Sequence, residues 1–302
     1  MSSLRPVLRW GASHVTPLAR TYVRYAPWQF GRRSVFGRFH WRHRSFDVRI
    51  EGGARIEGST HRFVEKYLYW FGVWEPWITE WMLHRLRPGD IFVDVGANIG
   101  YYSLRAGRLV GPEGHVIAVE ASPATRERMA ACLERHDLSN VTVVEAAAGA
   151  TMGTAEFYFG ESGNPEHSSL LKWSPDAAVE TTVDVKPLDT ILEECDCIEP
   201  RLVKIDVEGG ELHVLDGARR LLGETRETEF LVEVGDETRD DVVRRFREAG
   251  YRAFRIENPY GEEHYLSRDW SGAPPRVHPL ERGDTPTDLV FSRQELAVAR
   301  GA

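Results

Sequence analysis

Ile91-Phe92-Val93-Asp94-Val95-Gly96-Ala97-Asn98-Ile99-Gly100-Tyr101-Tyr102-Ser103 reads as strand, tight turn and helix. Three apolar residues lead into an acid, two glycines follow at a spacing of four, and an apolar-periodic segment continues through Leu104, Leu109 and Val110. In an open parallel sheet such a turn lies at the carboxyl edge of its strand, where the next helix presents unpaired N–H groups to the crevice. The stretch is therefore expected to be a ligand-binding edge.

Outward from it, strand and helix patterns alternate. Strands are expected at Ile91–Val95, His115–Val119, Val141–Glu145, Leu202–Val207, Phe230–Val234, Arg252–Ile256 and Thr287–Phe291, with helices at 99–109, 123–137, 210–222 and 238–249. This alternation implies an α/β fold with parallel strands, right-handed crossovers and helices on both faces. The interval 150–200 breaks it: two further strands, Thr154–Phe159 and Thr181–Val185, flank a polar loop. An insertion of this size is a natural place for substrate recognition. Upstream, Val48–Ile56 alternates around Gly52-Gly53 and suggests a hairpin. Ser59 or Thr60 is placed to cap a helix carrying Phe63, Tyr67, Trp70, Phe71 and Trp74, and Pro76 starts a second helix that Pro88-Gly89 ends. The expected organisation is a basic, Arg/Trp-rich arm over 1–60, a helical gate over 61–88, the main domain over 89–293 with its 150–200 insertion, and a tail over 294–302.

The chain has 302 residues, and its 42% hydrophobic content suits a sizeable core. Three cysteines are too few for a disulfide framework, which points to a reducing, cytoplasmic compartment. Cys195-Asp196-Cys197 lacks the second pair that a structural metal site needs, so no metal is expected at this pair, and metal dependence is left open. The net charge of −8 conceals a segregation: residues 1–50 contain ten arginines, no lysine and one acid, Asp47, giving +9 against −17 for the remainder. The acidic body disfavours nucleic acid, whereas the basic arm suits peripheral contact with a membrane surface, an acidic partner or the body itself. Seven of the nine tryptophans fall in the first 81 residues, which adds an aromatic surface to that arm. No apolar run reaches membrane-spanning length, since Tyr67–Trp74 is cut by Glu75-Pro76. Arginines interrupt any apolar signal core near the N-terminus. The oligomeric state is left open.

A dinucleotide fingerprint would repeat Gly-x-Gly-x-x-Gly, but here Asn98 holds the middle position and Tyr101 the last. A pyrophosphate needs bare backbone at close approach, so the turn is not built for one. Asp94, Gly96, Ala97, Asn98, Gly100 and Tyr101 form the candidate cofactor seat. Glu120, ending the next strand and followed by Ala121, supplies a carboxylate able to accept two hydrogen bonds from a ribose diol. A nucleoside without phosphates, bound beside two acids that tolerate positive charge, has the properties of S-adenosylmethionine. In Leu202-Val203-Lys204-Ile205-Asp206-Val207-Glu208-Gly209-Gly210-Glu211, strand alternation would place Lys204, Asp206 and, where the extended conformation continues, Glu208 on one face. Ionisable groups are costly in a central parallel strand unless they pair with each other or with a ligand. Asp206 and Glu208 are the candidate bases, with Lys204 orienting its partner. Glu75, Ser169 and Glu233 are candidate substrate contacts, the two acids also being reserve bases.

Several motifs together resemble the FkbM-type methyltransferases. These are Val93–Tyr102, Val119-Glu120-Ala121-Ser122-Pro123, Leu188-Asp189, Lys204-Ile205-Asp206-Val207-Glu208-Gly209 and Leu215-Asp216-Gly217-Ala218, in the family's order across residues 74–235. The resemblance implies a Rossmann-like class I methyltransferase sheet, mostly parallel with an antiparallel last strand. It also implies methylation of hydroxyl oxygens with S-adenosylmethionine, often on sugars, glycans or secondary metabolites. Gly210 stands where the family commonly has Ala, and Ala121-Ser122-Pro123 replaces a commoner Glu-Pro. Rival readings are a nicotinamide-dependent oxidoreductase or epimerase on the same sheet, and a non-catalytic scaffold whose arm binds membrane or partner.

Overall fold

The computed structural model describes residues 17–25, 31–158, 170, 178–197, 199–259, 261–267 and 277–296. The chain divides into two compact units, Met1–Pro76 with Pro259–Ala273 and Trp77–Asn258 with Pro274–Ala302. The pair of helices expected as one gate is thereby shared between them.

In the first unit, α1 (17–25) and α2 (Arg32–Phe39) precede a hairpin of β1 (Ser45–Arg49) and β2 (Arg55–Ser59), then α3 (Phe63–Phe71). Gly52 and Gly53 turn the hairpin with φ of 78° and 84°, the left-handed region that glycine occupies without a Cβ clash. Val48 then pairs with Ile56, as the alternation predicts. The expected cap is not made. Arg62 holds the N-cap of α3 without a side-chain bond, and the Thr60 hydroxyl instead donates to Arg42 O at 3.1 Å while accepting from Arg44 N–H at 2.9 Å. The apolar face of α3 fills the unit's core with Tyr67, Leu68, Trp70 and Phe71. Tyr265, from the short helix Glu262–Ser267, packs edge-on against Tyr67 at 4.6 Å.

The second unit begins with α4 (Pro76–Arg85) and continues β3 (Ile91–Val95), α5 (Tyr101–Val110), β4 (His115–Val119), α6 (Pro123–Glu134) and β5 (Val141–Val144). The insertion follows as β6 (Ala147–Ala148), β7 (Gly153–Tyr158) and β8 (Val179–Lys186), a separate three-stranded sheet in which β7 and β8 run antiparallel. Then come α7 (Leu188–Glu194), β9 (Leu202–Ile205), α8 (Glu211–Asp216), α9 (Arg219–Glu224), β10 (Glu229–Glu233), α10 (Arg239–Glu248), β11 (Arg252–Ile256), β12 (Val277–Pro279) and β13 (Asp288–Ser292). The main sheet has the order β12-β11-β13-β10-β9-β3-β4-β5. Strands β5, β4, β3, β9 and β10 are parallel, and the last strand, β13, lies antiparallel between β10 and β11. The seven strands expected of this sheet are all present, and β12, which was not expected, joins them at one edge.

Two local differences have physical causes. The helix expected over 210–222 is two, breaking at Gly217-Ala218, where a Cβ at 217 would sit 2.1 Å from Gly149 O and only glycine fits. Asp189 restarts it as α9, its Oδ2 accepting Arg220 N–H at 2.7 Å and its Oδ1 Leu221 N–H at 3.0 Å. Strand β9 also stops at Ile205, two residues early. The core joins Val93, Val95, Val203, Ile205, Phe230 and Val232 of the sheet to Leu188, Leu215, Leu222 and Phe246 of its helices. Among the described residues, no helix is long and apolar enough to cross a membrane.

Candidate active site

The strand order runs outward from β3 through β4 in one direction and from β9 through β10 in the other. Connections leave β3 and β9 on opposite sides, so a crevice opens at their carboxyl ends. Two backbone donors, Gly96 N–H and Ala97 N–H, reach Val119 O at 3.0 Å each and fold the turn after β3 toward β4. Gly96 has φ 81°, and a Cβ there would lie 1.8 Å from Asp206 O, so only glycine lets the β3 and β9 turns touch. Gly100, at φ 77°, is crowded by Met129 Cγ at 2.7 Å from its virtual Cβ. The close approach it permits is thus to α6.

Glu120 is buried, its Oε2 accepting Asn98 N–H at 2.8 Å and its Oε1 accepting Ser122 N–H at 2.8 Å. The carboxylate straps the two turns together. Asn98 itself takes φ 51°, uncommon for a residue other than glycine. Its Oδ1 is buried without a hydrogen-bond partner, and so is Asp94 Oδ1. The other Asp94 oxygen accepts the Ser103 hydroxyl at 2.6 Å. Burial pushes the Asp94 carboxyl above its ordinary range, with the Lys204 ammonium and the Ser103 bond opposing.

Lys204 stands opposite Asp94 in the β3–β9 register. Its ammonium donates to Asp206 Oδ2 at 2.7 Å and lies 4.8 Å from the centre of the Tyr102 ring. The lysine side chain is 5% exposed and that of Asp206 29%, so the pair spans from the interior to the crevice. Glu208 does not extend this face. With the strand ended, it takes φ 50° and its side chain is exposed, because left-handed backbone at 208 cancels the two-residue alternation.

Of the other candidates, Tyr101 is buried with its hydroxyl 3.2 Å from Thr79 Oγ1. Ala121 packs with Ala147, Phe157 and Val183, which brings the insertion to the end of β4. Glu233 closes β10, half-buried and paired in register with Asp288. Glu75 belongs to the first unit, buried at φ 41°, its N–H donating to Tyr265 Oη at 2.9 Å. Ser169 lies outside the described residues. Cys195 and Cys197 are free thiols, and burial pushes Cys197 up to about 11.

Sequence reasoning missed Ser103, Tyr102 and Glu211. Glu211 is buried, its Oε1 accepting Gly209 N–H at 2.7 Å and its Oε2 the Thr238 hydroxyl at 2.8 Å, so it ties the turn after β9 to the start of α10. Burial, its largest influence, pushes its carboxyl up, and nearby Asp206 adds to this. The available signal was an acid following two glycines at a helix start.

A five-stranded parallel run switching direction at β3 and β9, with an antiparallel strand inserted before the last, defines a class I methyltransferase fold. The Methyltransferase FkbM domain matches residues 94–253, more than half of the chain, which therefore belongs to that family. Its cofactor is S-adenosylmethionine. The residues fit it: two buried, unpartnered oxygens on the β3 turn await donors, and no triple-glycine phosphate cradle competes. The hexuronic acid methyltransferase AglP of Haloferax volcanii is 27% identical over 146 residues, covering 47% of this chain and 55% of that protein. Methyltransferase 1 of Beauveria bassiana is 31% identical over 148 residues, covering 43% and 59%. The chain thus spans a little over half the length of these two curated relatives. A solved FkbM methyltransferase from Methylobacillus flagellatus KT is 19% identical, covering 67% of this chain and 43% of that one with a TM-score of 0.38.

Proposed function

We propose that the chain methylates a hydroxyl oxygen of a sugar, glycan or related small metabolite at the carboxyl edge of β3, β4 and β9. The observation that carries this reading is the pair of buried acceptor oxygens, Asp94 Oδ1 and Asn98 Oδ1, beside the Lys204–Asp206 ion pair. Unsatisfied buried acceptors cost about 1–3 kcal/mol each, so a site that retains two is built for a donor that arrives with its ligand. Asp94, Asn98 and Glu120 hold the nucleoside and amino groups of S-adenosylmethionine, with Gly96, Ala97, Gly100, Tyr101 and Ala121 shaping the seat. When bound, the cofactor supplies an electrophilic methyl group.

An alcohol is a weak nucleophile until its proton is removed, and a carboxylate within hydrogen-bond reach does this. Asp206 is the favoured base: Lys204 fixes one of its oxygens, while the side chain remains open to the crevice. Glu208, on an exposed turn of the same loop, is the second choice. Glu233 and Ser169 are retained as acceptor contacts. The name of the Haloferax volcanii relative, a hexuronic acid methyltransferase, supports a sugar as the first acceptor to try.

The test is incubation of the full chain with methyl-labelled S-adenosylmethionine and separated glycan, lipid, small-metabolite and protein fractions. Label entering the glycan or small-metabolite fraction in alkali-stable form is expected for an ether product. Label confined to protein contradicts the acceptor class, and binding of NAD(H) in place of S-adenosylmethionine contradicts the cofactor seat.

A further inference from the structure

Helix α1 is amphipathic in the inverted sense. Its inner face carries Ala19, Arg20, Val23 and Arg24, whereas Leu18, Tyr22 and Tyr25, at spacings of four and three, face outward at 70%, 38% and 60% exposure. Both arginines are committed inside the first unit. Arg20 Nε donates to Tyr69 O at 2.5 Å, and Arg24 donates to Arg49 O. The Arg24 guanidinium occupies the space that a Cβ at Gly72 would need, with Cζ 2.2 Å away, so the fit is specific to glycine. Charges that would ordinarily face water are thus turned inward, and the apolar stripe is left outside.

The same unit exposes other apolar groups. Trp41 is 60% exposed, with its ring N–H tied to Arg38 O at 2.9 Å, so the indole presents its apolar body. Of the large apolar side chains exposed among the described residues, Leu18, Tyr22, Tyr25, Trp41 and Phe63 belong to this unit. Among the described residues of 17–50, the exposed basic side chains are Arg33, Arg38, His43 and Arg49, against one exposed acid, Asp47; Arg33 is paired with Glu263 at 2.7 Å, which leaves Arg38 and Arg49 as the arginines of the patch.

We infer that this face docks on an anionic lipid bilayer. Stable yet reversible membrane attachment takes two signals, an apolar group and a basic patch, and both occur here. Tyr and Trp with Arg suit the headgroup level, where the aromatic body is buried and its polar end stays wet. A second copy is disfavoured because its own +9 stretch would face this one. Nucleic acid would use the arginines but leave the Leu18–Tyr25 stripe uncovered.

The experiment is sedimentation of the full chain with phosphatidylcholine vesicles, with and without phosphatidylserine, at low and high salt. Binding to phosphatidylserine vesicles that weakens with salt is expected. Replacing Leu18, Tyr22 and Tyr25 together by Ser should weaken it roughly tenfold or more. Arg38→Gln and Arg49→Gln should each weaken it about fivefold. S-adenosylmethionine binding, which involves none of these residues, confirms that each variant is folded. Failure to bind anionic vesicles, binding indifferent to the serine substitutions, or a dimer that those substitutions dissociate would overturn the inference.

Discussion

The inward-turned arginines of α1 and the buried Lys204 of β9 satisfy their charges differently. In the first unit, Arg20 and Arg24 donate to main-chain carbonyls of Tyr69 and Arg49, which cannot titrate or move without moving the fold. At the switch between β3 and β9, Lys204 is satisfied by a carboxylate, a ring face and the field of a second acid, Asp94. The first arrangement fixes a helix. The second holds groups whose charge can change, and it reaches the crevice. Burial of a charge alone therefore says little about chemistry; the nature of its partners says more.

Breaking the lysine should do the most damage to function. Lys204→Met leaves Asp206 without its fixed partner and Asp94 without its nearest cation, and turnover should fall about a hundredfold or more while the protein remains folded. Steady-state assay alongside circular dichroism measures this. Next in size is Glu120→Ala, which removes the strap across Asn98 and Ser122 and should raise the cofactor dissociation constant about 10- to 100-fold by calorimetry. Unchanged binding would remove Glu120 from the seat. Arg24→Met should do the reverse of the lysine change: a loss of about 1–3 kcal/mol in denaturant stability, with turnover per folded molecule unchanged. Similar profiles for the lysine and arginine variants would erase the distinction between the two regions.

The smallest effect concerns Glu211. Its folded-state carboxyl titrates above the ordinary value of 4.5, chiefly through burial. The folded chain therefore holds this proton more tightly than the unfolded chain, and stability falls as pH climbs from 4.5 through the raised value. Glu211→Gln should lack that decline, which melting temperatures measured across the range would reveal; parallel curves for the two proteins would contradict it.

The sheet was legible because its strands are short apolar runs separated by helix-length periods, and the turn after β3 because Gly96 and Gly100 stand where backbone must pass closely. Asp94, Lys204 and Asp206 were legible as charges in a strand that should be apolar. Glu208 was misplaced because alternation is a property of extended backbone, and the chain leaves that conformation after Ile205. Ser103 was invisible for a different reason, and so was the tie from Glu211 to α10: their partners, Asp94 and Thr238, lie 9 and 27 residues away in sequence, and no local period encodes such pairs. The motifs Leu188-Asp189 and Leu215-Asp216 carried the family likeness, yet Asp189 caps α9 and Asp216 pairs with Arg245 at 2.7 Å. They preserve the fold around the site. The inverted face of α1 could not be read at all from charge counts, which place arginines outside by default.

The central claim is that the β3 turn seats S-adenosylmethionine through oxygens that lack protein partners. Calorimetric titration of the cofactor into the wild type and Asp94→Asn tests it most directly. One equivalent should bind the wild type, with affinity for the variant reduced about tenfold or more. Equal affinity for both proteins, or no binding to the wild type, would contradict the account.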